Sequence, residues 1–144
     1  MPAITTDLLH KLPKVELHCH LDGCLRPESV LDVALADGVK LPSFDLDELS
    51  SHLRIGEKRG SLEDYLGRFD ITLSVMQTPE SLTRFAYELI EDAAEENVRY
   101  MEVRYSPILH QQKGMTLDMA VESVKEGLKK GEKEFGVKSG IIVC

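Results

Sequence analysis

Two stretches of the chain alternate apolar and polar residues with a period of two. In residues 15–20 (VELHCH), Val15, Leu17 and Cys19 share one side and Glu16, His18 and His20 the other. In residues 100–105 (YMEVRY), Met101, Val103 and Tyr105 stand against Glu102 and Arg104. That period predicts strands, with successive side chains on opposite faces. Pro107 ends the second, and the apolar run at residues 141–144 (IIVC) reads as a third. Between them the apolar spacing lengthens to that of helices. Residues 27–37 open on Pro27, carry Leu31, Ala34 and Leu35 as an apolar stripe, and stop at Gly38. Residues 45–77 read as irregular helix. Leu46, Leu49 and Leu53 suggest a short first piece, and Gly56 and Gly60 a break. Ser61-Leu62-Glu63-Asp64 approximates a capping box ahead of Leu62, Tyr65, Leu66 and Phe69, which lie on one helical face. Thr78-Pro79-Glu80 starts the most regular helix, striped by Leu82, Phe85, Ala86, Leu89, Ile90 and Ala93. Thr116 caps a further helix with Leu117, Ala120, Val121, Val124 and Leu128 on one side.

The order is β-α-β-α-β, with a helical insertion at about 45–78 after the first strand. Strands separated by helices run parallel, joined by right-handed crossovers. Such strands suit either an open doubly wound sheet or part of a closed (β/α)8 barrel of the TIM type. The barrel is favoured. No GxGxxG or GxxxxGK[ST] follows either alternating strand, so the usual phosphate-cradling loop is missing. Both strands also carry a polar face that a barrel can turn inward. A whole barrel takes about 250 residues, so residues 1–144 are expected to be the amino-terminal part of a single barrel domain: three strands with their helices.

Composition narrows the functional classes. The net charge is -8 at pH 7 with no basic stripe, which argues against nucleic acid, because binding its backbone relies on Lys and Arg releasing counterions. No run approaches the roughly 18 apolar residues of a membrane span. The first residues, MPAITTDLLHKLPK, lack a basic segment followed by an apolar one, so no signal peptide is expected. Three cysteines without a CxxC pair fit a reducing compartment better than a disulfide framework. A cytoplasmic location is expected.

His18 and His20 carry the candidate chemistry. Two positions apart on a strand, they present imidazoles on one face, close enough to converge on one ion. Zinc accepts neutral histidine nitrogens, and a catalytic zinc keeps three protein ligands and a water. Taken alone, an HxH pair is more often a surface or satisfied core feature. Its surroundings are more specific: residues 13–23 (PKVELHCHLDG) resemble the first barrel strand of zinc-dependent adenosine deaminases, within the amidohydrolase-type metal-dependent hydrolases. Residues 100–107 (YMEVRYSP) resemble that family's second strand, and residues 61–70 (SLEDYLGRFD) its substrate-pocket helix. The matches fall in the family's order and spacing along nearly the whole chain.

The resemblance implies roles. His18 and His20 correspond to two zinc ligands, with His20 also beside the substrate. Asp22 corresponds to the carboxylate that hydrogen-bonds the ribose 5′-hydroxyl. Leu62, Tyr65, Leu66 and Phe69 correspond to a hydrophobic lid over the nucleoside, although periodicity alone would make them a helix packed on the barrel. Glu16 and Arg104 are expected to form an ion pair inside the barrel. Cys19 is read as core, Cys24 as lying outside the ligand set, and His10, His52 and His110 as exposed or loop residues. The implied reaction is hydrolytic deamination of adenosine or deoxyadenosine, a small nucleoside, to the inosine product and ammonia. Adenine deaminases tend to have Glu where Asp22 stands. The family's H-A-G-E motif, its second histidine and its N-x-D-D-P-like segment do not occur in this sequence. The catalytic residues are therefore expected carboxyl-terminal to Cys144, and this chain alone is expected to be inactive. Three other readings remain at this point: a short non-catalytic paralogue that binds a partner, one chain of a split deaminase completed in trans, and an adenine deaminase.

Overall fold

The computed structural model describes residues 4–54 and 62–144, with the backbone alone for residues 62–66. A short helix α1 (Thr6–Lys11) precedes strand β1 (Lys14–His20) and a 3-10 turn over Leu21–Gly23. Helices α2 (Pro27–Asp37), α3 (Leu46–Leu53), α4 (Leu62–Val75) and α5 (Pro79–Glu95) lead to β2 (Val98–Tyr105). A second 3-10 turn over Pro107–His110, helix α6 (Leu117–Phe135) and β3 (Lys138–Val143) follow. The three strands form one parallel sheet in the order β1-β2-β3. β1 pairs with β2 through Glu16↔Met101 and His20↔Arg104, with a register irregularity between Glu16 and Cys19.

The local causes are visible in the caps. Thr78 accepts from the Ser81 amide at 3.2 Å, and Ser81 Oγ accepts from the Thr78 amide in return. With Pro79 at the first position, these fix the start of α5. Thr116 caps α6 in the same manner, accepting from Met119 N at 3.2 Å. Helix α1, which the alternation left unassigned, is capped by Thr5 and buries none of its residues. Ser61, the expected start of the capping box, lies outside the described residues.

The core forms where α5 and α6 cover the apolar face of β2. Met101, Val103 and Tyr105 are buried, as are Leu82, Phe85, Ala86, Leu89, Ile90 and Ala93 of α5 and Ala120, Val124 and Leu128 of α6. The other face of β2, with Glu102 and Arg104, stays half-buried. Two expected stripe residues are corrected. Leu35 is 63% exposed, because α2 turns Val30, Val33, Ala34 and Ser29 inward instead. Ser29 Oγ donates to Glu88 of α5 at 2.8 Å, and this polar contact helps set the rotation of α2. Leu117 at the head of α6 is likewise exposed. No helix among the described residues is long and apolar enough to cross a membrane.

Candidate functional site

β1 ends on the two histidines. Their rings stack with centroids 5.4 Å apart, so the strand brings both imidazoles to the same face, as the period of two requires. Both residues are exposed. Directly after His20 the chain tightens into the Leu21–Gly23 turn, anchored by the buried Leu21. That turn swings Asp22 back toward the strand end, leaving a carboxylate oxygen 3.9 Å from His20 Nδ1. The Asp22 side chain is only 13% exposed, and its Oδ1 is buried with no hydrogen-bond partner among the described residues. A buried carboxylate oxygen without a donor is costly.

Phe69 of α4 joins this group. It lines one groove with Glu16, His18, His20 and Gly23, and an adjoining cleft with Asp22, Leu25, Leu53 and Thr72. Gly23 fits beneath its ring: a Cβ there would stand 3.6 Å from Phe69 Cε1. Leu62, Tyr65 and Leu66 lie on the same helix, but their side chains fall outside the described residues.

Cys19 and Cys24 also meet here, with sulfurs 3.5 Å apart. The shared contact raises the Cys19 thiol above its ordinary range, helped by burial. It lowers that of Cys24, against burial and nearby carboxylates.

Two expectations do not hold. Glu16 and Arg104 make no ion pair. The pairing of β1 with β2 sets Arg104 beside His20, two pleats beyond Glu16, and Arg104 Nη2 donates to the Leu17 carbonyl at 3.1 Å. Glu16 instead accepts from the His18 amide at 2.8 Å, at the register irregularity. His110 is not a solvent-exposed residue. Although it closes a loop, it is 1% exposed, and its Nδ1 donates to the Met76 carbonyl at 2.9 Å. Gln77 completes the tie, donating to Leu109 O at 2.9 Å and accepting from Gln112 N at 3.0 Å. These two residues fasten the loop after β2 to the end of α4. Sequence reasoning missed both, and the available signal was slight: a histidine three residues beyond the strand-ending Pro107.

His18 and His20 supply nitrogen donors of the kind zinc takes, and two of them fit a partial ligand set. No group of three or more His, Cys, Asp or Glu side chains suited to a metal occurs among the described residues.

The family model for adenosine deaminase matches residues 13–144. The chain belongs to the adenosine deaminase family. An adenosine deaminase of Clostridium botulinum is 48% identical to it over 133 residues, 92% of this chain and 40% of that protein. The chain thus spans about 40% of the length of the curated relatives it matches. Among solved structures, an adenine deaminase of Arthrobacter aurescens superposes with a TM-score of 0.78 at 30% identity, covering 90% of this chain and 38% of that one. An amidohydrolase of Burkholderia ambifaria with bound zinc gives a TM-score of 0.79 at 28% identity, covering 99% and 39%. The chain is thus a partial barrel: a parallel three-stranded sheet and its helices from a TIM-type fold.

Proposed function

We propose that residues 1–144 form the amino-terminal part of a single-domain, zinc-dependent hydrolase that converts adenosine or deoxyadenosine and water to inosine or deoxyinosine and ammonia. The observation that carries this reading is that His18 and His20 share a groove with the Phe69 ring, while the unpartnered Asp22 oxygen stands 3.9 Å from His20 in the adjoining cleft that Phe69 also lines. His18 and His20 would hold the metal through neutral imidazole nitrogens, with further ligands from outside these residues. When bound, zinc supplies Lewis-acid activation of water at neutral pH. Asp22 would accept a hydrogen bond from the sugar 5′-hydroxyl through its orphaned oxygen. Phe69, and on the family pattern Leu62, Tyr65 and Leu66, would cover the nucleoside and keep bulk water from it. The rest of the barrel, with the proton-transfer groups, comes in cis or from a second polypeptide in trans. Small nucleosides, rather than nucleic acid or membrane, are the partners, and the cytoplasm is the expected location.

The likeness to an adenine deaminase favours a second reading, in which free adenine is the substrate. One assay separates them. The native-length protein, purified from its own source, is given adenosine, deoxyadenosine and adenine, and ammonia release is followed. Adenosine or deoxyadenosine is expected to be the faster substrate, with activity lost in His18→Ala and His20→Ala. Asp22→Ala is expected to raise the nucleoside KM by roughly 10- to 100-fold, the loss of one hydrogen bond to a charged group. Faster turnover of adenine, insensitive to Asp22→Ala, would establish the second reading instead.

A further inference from the structure

The turn after β1 carries a second chemistry that deamination does not use. Cys19 is held in the sheet by its pairing with Val103. Cys24 stands just beyond the 3-10 turn, exposed, its amide donating to the Leu21 carbonyl at 3.2 Å. Their sulfurs are 3.5 Å apart. A disulfide bond measures about 2.05 Å, so closure needs a movement of about 1.5 Å. The loop residue is the one free to make it, since Cys19 is fixed by the sheet.

We propose that Cys19 and Cys24 are a reversible thiol–disulfide pair, oxidised by low-molecular-weight disulfides such as glutathione disulfide. In the first exchange the Cys24 sulfur bonds to one sulfur of the small disulfide, whose S–S bond breaks and releases one thiol. In the second, the Cys19 sulfur bonds to Cys24 and displaces the other thiol. Two electrons pass from the cysteine pair to the small disulfide, and the two S–H protons leave with its two halves. The closed ring contains His20, Leu21, Asp22 and Gly23. Drawing Cys24 toward the strand therefore pulls on the turn that sets Asp22 in the cleft beside Phe69. On the deaminase reading, on which this consequence rests, the oxidised form binds nucleoside less well.

The test uses the native-length protein carrying Cys144→Ser, treated with oxidised glutathione, alkylated and mapped by peptide mass. The expected result is a peptide cross-linked between Cys19 and Cys24, two hydrogens lighter than its reduced form and restored by dithiothreitol. A second substitution, Cys24→Ser, should abolish the cross-link. Glutathione retained on Cys24 without cross-linking overturns the proposal, as does a pair that stays fully reduced. In the same samples the nucleoside KM should rise by roughly threefold or more on oxidation, with Cys24→Ser insensitive. An unchanged KM in fully cross-linked protein overturns the control of the turn. Cross-linking in a protein that deaminates nothing even when reduced supports the thiol pair and overturns the deaminase reading.

Discussion

His110 and Asp22 are polar side chains placed where water scarcely reaches, and they meet burial differently. Asp22 is left with an orphaned oxygen beside a groove. His110 is satisfied by the Met76 carbonyl and packs 5.8 Å from the Tyr105 ring. Burial holds His110 below the ordinary histidine range, outweighing the opposite pulls of the Met76 hydrogen bond and of Asp22. A histidine that takes its proton less readily when folded contributes nothing above its unfolded pKa. As pH falls through that value, about 6.5, the unfolded state binds the proton first and stability drops. His110→Asn keeps an N–H near the Nδ1 position and removes the titration. Between about pH 7.5 and about pH 5.5, the parent should therefore lose stability relative to His110→Asn, at most roughly 1.4 kcal/mol per pH unit. Urea unfolding at both pH values measures this, and parallel losses in the two proteins would refute the assignment.

At the scale of elements, α5 and α6 approach closely, and glycine permits it. A Cβ at Gly127 would fall inside contact distance of the Thr83 carbonyl oxygen and 2.8 Å from Ala86 Cβ. At Gly131, one turn on, it would stand 2.7 Å from Ile90 Cβ. Backbone and β-carbon neighbours cannot swing aside as the end of a long side chain can. Gly127→Ala gains up to about 1 kcal/mol of helix propensity, yet overpacking costs about 1–3 kcal/mol. The expected result is a net loss of up to about 2 kcal/mol in denaturant unfolding of the native-length protein. Gly67→Ala in α4 is the control, since a Cβ there meets nothing described within 4 Å; it should be neutral or stabilising. Equal effects of the two substitutions would mean that the α5–α6 contact is looser than the geometry states. The apolar stripe of α5 was legible in the sequence because all six of its residues are apolar and buried. The stripe of α2 was less so, because Ser29 takes part in the Arg84–Glu88 hydrogen-bond network. A polar residue with a buried partner looks like a surface residue until that partner is known.

Across the whole molecule, β1 and β3 are the two edges of the sheet among the described residues, and β1 exposes apolar side chains. Val15 is 61% and Leu17 54% exposed, and β1 has a strand neighbour on one side only among the described residues. An apolar strand edge of this kind recruits other chains. The 144-residue polypeptide made alone should therefore self-associate, its weight-average mass in sedimentation equilibrium rising with concentration. Leu17→Lys should weaken that rise, whereas a monomer at every concentration would contradict the exposure of this face.

What the sequence by itself determined was periodic or local. The two alternating strands, the caps at Thr78 and Thr116, the parallel order and the same-face histidines all follow from rules that act within a few residues. The family pattern added Asp22 and Phe69 as companions of that pair. What only the tertiary structure decided was pairing across distance. Register set Arg104 beside His20 rather than Glu16, and the close of the loop after β2 buried His110 against a carbonyl 34 residues away in the chain. The turn after β1 likewise brought two cysteines to 3.5 Å. Alternation says which face a side chain takes, but register, loop path and burial come from the simultaneous packing of elements far apart in the chain, and no local pattern encodes them.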